Sequence, residues 1–128
     1  MQEKKAYDLM DDKVIAISIS STVIAAARLI ETSNVDTLPI LEGEKLVGML
    51  DGPTLLNYMI KHSKNDLEGQ TIKMFAKEPI FVVKDEPLNE IVAKVVSHNL
   101  TRIPVVDSAK SMKCIGIISA TDLIKSVE

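Results

Sequence analysis

The sequence GIISATDLIK, residues 116–125, places a serine and an acid three residues apart, where an apolar strand gives way to a helix. Ser119 and Asp122 fit a capping box, in which each side chain accepts a hydrogen bond from the other residue's amide. They also fit a nucleotide site. A hydroxyl beside the positive end of a helix suits a phosphate, and a carboxylate can accept hydrogen bonds from both hydroxyls of a ribose. The two roles can coexist.

Arg102 is a further candidate for phosphate recognition. The sequence has one other arginine, Arg28. The planar guanidinium group can bind a phosphate through two parallel hydrogen bonds, which an ammonium group cannot do. The alternative interpretation is a solvated charge at the end of a strand.

The remaining reactive side chains predict neither a catalytic nor a metal centre. Cys114 lies in an apolar stretch without a basic neighbour, which favours an inert buried thiol. His62 and His98 have no second ligand at metal-binding spacing. Gly43 and Gly48 have the spacing of a phosphate-binding loop but lack the Lys-Ser/Thr pair, so they indicate a hairpin turn. We therefore expect a protein that is not an enzyme, holds no metal and requires no cofactor.

Composition limits the classes of partner. With 46% hydrophobic and 26% charged residues, the 128-residue chain is expected to be globular. A net charge of -3 does not suggest the basic surface that nucleic acid requires. No apolar run approaches the ~18 residues of a membrane span, and the first ten residues lack the apolar region of a secretory signal. A single cysteine fits a reducing compartment. We expect a cytoplasmic protein without nucleic-acid or membrane partners.

The sequence contains an internal repeat. Residues 36–56 (DTLPILEGEKLVGMLDGPTLL) match residues 101–124 (TRIPVVDSAKSMKCIGIISATDLI) in their proline, the acid and turn after it, the strand with one glycine and the helix start. Apolar spacing predicts the order β-α-β-β-α in both halves, and therefore an α/β fold. We predict repeats at residues 1–61 and 71–128, joined by a polar linker at 62–70.

Local signals predict several element bounds. Apolar strands are predicted at Ile15–Ser18 and Ile80–Val83, and a helix from about Thr22 to Thr32. Asn99 is the expected left-handed end of the corresponding helix in the second half. That helix carries an apolar face of five aliphatic residues, Leu88, Ile91, Val92, Val95 and Val96.

These features resemble a pair of cystathionine β-synthase (CBS) domains. The resemblance rests on the Pro-led amphipathic helix, the segment IPVVD (103–107), the hairpin and GIISATDLI (116–124), and it covers nearly the whole chain. It implies two repeats packed about a pseudo-twofold axis, with two clefts. In the family these clefts commonly bind adenosine-containing ligands such as AMP, ADP, ATP or S-adenosylmethionine. It also implies that such pairs dimerise.

By the same resemblance, the Ser-x-x-Asp element is the part that binds phosphate and ribose. Phe81 stands where the family often has a threonine, and its ring can pack on an adenine face. The expected ligand-binding residues are Thr37, Leu38, Pro39, Phe81, Arg102, Ile103, Pro104, Ser119, Thr121 and Asp122.

The first repeat departs from this pattern. Its equivalent element is Asp51-Gly52-Pro53-Thr54, in which Asp51 would repel a phosphate and Thr54 cannot replace a ribose-binding carboxylate. Thr37 likewise stands in the place of Arg102. We expect two unequal clefts, with the ligand in the one lined by Phe81, Ile103, Ser119 and Asp122.

Two functions from different classes follow. The first is a regulatory sensor that binds an adenosine-containing ligand between the repeats and biases the state of an unidentified protein partner. The second is a dimerising interaction module with no small ligand, which the degraded first repeat favours. We expect a homodimer, because the helices Thr54–Ile60 and Thr121–Val127 carry apolar residues that so small a domain does not fully cover.

Overall fold

The computed structural model describes residues 3–128, which form two compact units. The first-repeat unit is Ile15–Pro79, and the second-repeat unit combines residues 3–14 with Ile80–Glu128. A short 3₁₀ helix covers Ile72–Phe75. The other elements, in chain order, are α1 (Ala6–Leu9), β1 (Ile17–Ser18), α2 (Val23–Ser33), β2 (Thr37–Glu42), β3 (Lys45–Asp51), α3 (Gly52–Ile60), α4 (Lys64–Leu67), β4 (Val82–Val83), α5 (Leu88–Ser97), β5 (Arg102–Val106), β6 (Cys114–Ser119) and α6 (Ala120–Val127).

Each unit contains a three-stranded sheet with the same topology. The strand orders are β1-β2-β3 and β4-β5-β6, and in both the first pair is parallel and the second antiparallel. Pro39 pairs with Met49 and Pro104 with Ile117, so the two prolines occupy equivalent positions in the middle strands. The predicted α/β fold with matching halves is confirmed.

The hydrophobic core of each unit lies on one face of its sheet. In the second-repeat unit, Ile103, Val105 and Ile118 pack with Ile91 and Val95 of α5. The first-repeat unit repeats this arrangement with residues of the sheet and of α2 and α3: Leu38, Ile40, Leu50, Val23, Ala26 and Leu55. The helical spacing of the apolar residues therefore predicted the buried faces, although Val96 at the edge of the predicted stripe is exposed.

Local chemistry sets the ends of the two long helices. Thr22 caps α2 by accepting a hydrogen bond from the amide of Ala25 at 3.1 Å. Asn34 and Asn99 both have positive φ, 58° and 52°, directly after α2 and just beyond α5. Asparagine tolerates this left-handed conformation better than most residues, so the predicted stop at Asn99 is confirmed.

Each unit also includes the segment that precedes the other repeat in sequence. In the second-repeat unit the amide of Leu88 donates to Lys4 O at 3.0 Å, and the amide of Ala6 donates to Glu86 O at 2.9 Å. In the first-repeat unit Val23 donates to Gln70 O at 2.8 Å, and Ile72 donates to Ser21 O at 2.9 Å. Ala6 and Ile72 are fully buried in the two cores.

Two equivalent glycines let these segments approach the sheets. A Cβ atom on Gly48 would lie 3.0 Å from Ala76 Cα and 3.1 Å from the amide nitrogen of Lys77. A Cβ atom on Gly116 would overlap the Met10 side chain. Both glycines lie beside an irregularity in strand register. Close packing against these segments therefore explains why each repeated strand has a glycine at this position.

The compact units and the predicted sequence repeats divide the chain differently. Residues 62–70, predicted as a polar linker, include helix α4, which Ser63 caps, and the fully packed Leu67 of the first-repeat core. Residues 3–14 were assigned to the first repeat but lie in the second-repeat unit. The predicted strands Ile15–Ser18 and Ile80–Val83 were too long, since each contributes two residues to its sheet. Residues 1 and 2 of the predicted first repeat lie outside the described residues.

Candidate functional site

Three of the candidate residues lie at the same end of the second-repeat sheet. Phe81 directly precedes β4, Arg102 begins β5 and Ser119 ends β6. Because β4 is parallel to β5 while β6 is antiparallel to it, all three residues lie toward the same end of the sheet. Arg102 and Ser119 are paired there, whereas Val82 pairs with Val105, so Phe81 lies beside Pro104, two residues along β5 from Arg102. Neighbouring strands lie about 4.8 Å apart, so β4 and β6 are about 10 Å apart across β5.

The register decides which side chains share a face. Arg102 pairs with Ser119, and Pro104 pairs with Ile117, on the face opposite the core pair of Ile103 and Ile118. Ile103 is fully buried in the core cluster. The Ile103 side chain is therefore turned away from the face of Arg102 and Ser119, so only the backbone of Ile103 can contact a ligand on that face. The fully buried Leu38 has the same position in the first repeat.

Ser119 and Asp122 form the capping box that their spacing predicts. The amide of Asp122 donates to Ser119 Oγ at 3.0 Å, and the amide of Ser119 donates to Asp122 Oδ2 at 3.3 Å. Both residues are half-buried. The capping interpretation is confirmed, while a ligand role for the same two side chains stays a prediction.

The start of α6 has one backbone donor without an acceptor. The amide of Ala120 donates to Thr101 O at 2.9 Å, and the amide of Asp122 is used by the capping box. Between them, the amide of the exposed Thr121 finds no acceptor within residues 3–128. A phosphate approaching this helix therefore meets one ready N–H group and the Ser119 hydroxyl.

The start of α3 in the first-repeat unit, in contrast, has no backbone donor left for an anion. Gly52 donates to Asp36 O at 2.8 Å, and Thr54 donates to Asp51 Oδ1 at 2.8 Å. Pro53 between them has no N–H group. The first three residues of α3 thus offer no amide to an anion, and the carboxylate of Asp51 adds a negative charge. Thr37 pairs with Asp51 at this sheet end, as Arg102 pairs with Ser119 in the other unit.

Phe81 is held by residues that the sequence did not single out as site residues. The Lys94 ammonium donates to the Phe81 carbonyl oxygen at 3.0 Å and lies 5.8 Å from the centre of the Phe81 ring. The same ammonium lies 2.8 Å from Glu86 Oε2. Nothing in the local sequence pattern marks a contact between Lys94 and a residue thirteen positions earlier.

The other reactive groups lie apart from this sheet end. Cys114 is half-buried at the start of β6, and burial raises the pKa of its thiol, with a smaller opposing effect from the backbone of Gly116. Over residues 3–128, no cluster of three or more His, Cys, Asp or Glu side chains has an arrangement that could bind a metal ion. Within the same range, no helix combines the length and apolar character needed to cross a membrane.

Comparison with protein families gives two matches along the chain. The model described as CBS domain matches residues 6–61 and again residues 72–128. The uncharacterized protein YlbB of Bacillus subtilis (strain 168) is 31% identical over 121 residues, which cover 93% of this chain and 79% of YlbB. The A-adding tRNA nucleotidyltransferase of Geobacter sulfurreducens is 24% identical over 122 residues. This match covers 95% of the chain but 13% of that enzyme, so it concerns a small part of the enzyme.

Solved structures share the fold over nearly the full chain. The CBS domain pair of protein MJ0100, in complex with 5′-methylthioadenosine and S-adenosyl-L-methionine, has a TM-score of 0.78 at 23% identity and covers 98% of this chain and 97% of that one. CBSX2 in complex with AMP has a TM-score of 0.80 at 22% identity, covering 96% and 95%.

Proposed function

The chain belongs to the CBS domain family, as the resemblance of its sequence implied, and from that premise we propose that it is a regulatory module that binds an adenosine-containing ligand. The candidates are AMP, ADP, ATP and S-adenosylmethionine. Two proteins of the same fold support this class, because one binds 5′-methylthioadenosine and S-adenosylmethionine and the other binds AMP. The module acts by binding and has no catalytic step of its own.

We place the ligand at the end of the second-repeat sheet where α6 begins. The ribose hydroxyls donate to the Asp122 carboxylate, and a phosphate accepts from the Thr121 amide and the Ser119 hydroxyl. Arg102, which shares a sheet face with Ser119, adds positive charge at this end. The adenine lies near Phe81 and Pro104, with Ile103 contributing backbone.

The observation that carries this proposal is the difference between the two helix starts. At the start of α6 the Thr121 amide has no acceptor within residues 3–128, and the capping residue is the neutral Ser119. At the start of α3 the amides of Gly52 and Thr54 both have acceptors, and the capping residue is the negatively charged Asp51. An anion is therefore favoured at α6 and opposed at α3. The first-repeat candidates Thr37, Leu38 and Pro39 would at most complete a weaker site.

A second candidate function is an interaction module without a small ligand. It is favoured by the capping box at α6, because a helix cap explains Ser119 and Asp122 without a ligand. Under either function we propose a cytoplasmic homodimer that acts through a further protein partner. The dimer is supported by exposed apolar residues on α3 and α6, namely Leu56, Ile60, Ile124 and Val127.

Isothermal titration calorimetry with AMP, ADP, ATP and S-adenosylmethionine tests the proposal. We expect at least one of them to bind, and Asp122→Ala to weaken that binding about tenfold, since charge-assisted hydrogen bonds contribute about 1.5–3 kcal/mol. Thr54→Ala removes the equivalent side chain of the first repeat and is the matched control, with unchanged affinity. If none of the four ligands binds the folded wild type, the interaction module is the better function.

A further inference from the structure

Glu86, Lys94 and Phe81 form a connected cluster beside the proposed site. Glu86 Oε1 accepts a hydrogen bond from the amide of Val83 in β4 at 3.2 Å. Its other oxygen, Oε2, lies 2.8 Å from Lys94 Nζ. The Lys94 ammonium then reaches the Phe81 carbonyl oxygen at 3.0 Å. One carboxylate therefore links the edge strand, helix α5 and the residue just before the strand.

Glu86 fixes the position of the Lys94 ammonium. It is the only charged residue in the buried class among residues 3–128, with 9% of its surface exposed. A buried carboxylate is strongly disfavoured without a cation or hydrogen-bond donors. Lys94, whose side chain is 39% exposed, supplies the cation from α5. The pair therefore restricts a lysine side chain that would otherwise be mobile at the surface.

Lys94 in turn acts on Phe81 in two ways. Its hydrogen bond holds the Phe81 backbone just outside β4, and its ammonium lies within cation–π range of the ring, 5.8 Å from the centroid. A ring held from its backbone and from one side loses less freedom when a flat ligand stacks on it. Phe81 is half-buried, so part of its surface remains accessible.

We propose that Lys94, anchored by Glu86, is a positioning residue for adenine recognition, holding Phe81 as the surface on which the adenine packs. This inference rests on the proposed function, since it requires an adenosine-containing ligand at this sheet end. Lys94 acts through Phe81 and contacts no phosphate. Its contribution to affinity is therefore the same for ligands of different charge.

Calorimetry with adenosine, AMP and ATP tests this on the wild type and on Lys94→Met, which keeps an unbranched side chain only one atom shorter and removes its charge. We expect binding about fivefold to tenfold weaker, by a similar factor for each of these ligands that binds the wild type. Lys94→Arg retains a cation and hydrogen-bond donors, so its affinity should stay within about threefold of the wild type. In a Phe81→Leu background, Lys94→Met should cause no further loss.

The possible outcomes separate this inference from the proposed function. No binding of any probe by the wild type overturns both. A loss that grows from adenosine to ATP overturns the inference alone and makes Lys94 a direct or long-range partner of phosphate. Equal binding by the wild type and Lys94→Met also overturns the inference alone. So does a Lys94→Met loss of affinity that is as large in the Phe81→Leu background as in the wild type. Because Lys94→Met leaves Glu86 unpaired, Glu86→Gln/Lys94→Met is measured in parallel, and melting curves establish which variants are folded. The double variant should show the same loss.

Discussion

Ser119 and Asp122 hold each other at the start of α6 through two hydrogen bonds, of 3.0 Å and 3.3 Å. The serine hydroxyl accepts from the Asp122 amide, and the Asp122 carboxylate accepts from the Ser119 amide. The same hydroxyl and carboxylate are the groups proposed to meet a phosphate and a ribose. A ligand at this point would thus bind a carboxylate that the helix cap has already oriented, and the two roles can be separated by substitution.

Asp122→Asn removes the charge of this residue and retains an oxygen that can accept from the Ser119 amide. We expect its free energy of unfolding to stay within about 0.5 kcal/mol of the wild type, and its affinity for AMP to fall about tenfold. Asp122→Ala should also lose about 0.5–1.5 kcal/mol of stability, because the Ser119 amide loses its carboxylate acceptor while the bond from the residue-122 amide to Ser119 Oγ remains. Urea denaturation and calorimetry on both variants measure the two effects. Wild-type affinity in a folded Asp122→Asn protein would leave the cap as the sole role.

The stoichiometry of binding should be one nucleotide per chain. The start of α3 offers no amide hydrogen from Gly52, Pro53 or Thr54 and presents the Asp51 carboxylate instead. Calorimetric titration with AMP measures the number of sites. The variant Asp51→Asn tests whether the Asp51 charge alone prevents binding at α3. It removes the negative charge while keeping a cap, so it should leave both stability and stoichiometry nearly unchanged. Two equivalent sites in the wild type would contradict the inequality of the repeats.

The internal repeat made the sheets predictable. Equivalent prolines and glycines in a repeat must occupy equivalent places, and Pro39 and Pro104 do so. The capping box at Ser119 was predictable as well, because it depends on residues three apart. Such features are local or are repeated in the sequence, which is why this one sequence was enough to identify them.

Long-range packing was not predictable in the same way. The opening residues carry several charges, and one small residue among them, Ala6, is fully buried in the second-repeat core. Likewise Leu67 is the one apolar residue in an otherwise polar stretch, and it packs in the first-repeat core. A single buried side chain leaves no periodic signal. The contact of Lys94 with Glu86 and Phe81 depends on tertiary structure in the same sense.

Gly48→Ala and Gly116→Ala should both destabilise the protein. The added methyl group at residue 48 meets backbone atoms of Ala76 and Lys77 at 3.0 Å and 3.1 Å, which cannot move without displacing the segment. At residue 116 it comes within 2.9 Å of Met10 Cβ and also overlaps Cγ and Sδ, and rotation of the Met10 side chain can move only the last two atoms. We expect losses of about 1–3 kcal/mol for each variant. Urea denaturation measures both, and Met10→Ala, which removes Cγ and Sδ but keeps Cβ, should recover part of the loss in Gly116→Ala. Wild-type stability in either glycine variant would contradict this explanation.

Cys114 should react slowly with Ellman's reagent at neutral pH. Burial raises the pKa of its thiol, so the folded protein holds less of the reactive thiolate than an unfolded cysteine does. The raised pKa also favours folding below the pKa of an unfolded cysteine, about 8.5, and this contribution is lost as the pH rises through the folded value. Reaction rates from pH 7 to 10, with the protein in urea as reference, measure the shift. An equal pH dependence in both states would contradict it.

The chain should form a homodimer through α3 and α6. Leu56 and Ile60 on α3 are 62% and 73% exposed, and Ile124 and Val127 on α6 are 59% and 62% exposed. Removing such residues from water contributes about 25 cal/mol for each Å² buried, which favours a symmetric interface between two copies.

Light scattering at micromolar concentration should give twice the chain mass of 14.0 kDa. Leu56→Glu/Ile124→Glu places two carboxylates in the proposed interface and should yield a monomer with an unchanged melting curve at low concentration. Val96→Glu is the matched control, because Val96 is 72% exposed on α5 and lies on neither helix. A wild-type mass of one chain, or a Leu56→Glu/Ile124→Glu protein that stays dimeric, would contradict an interface formed by α3 and α6.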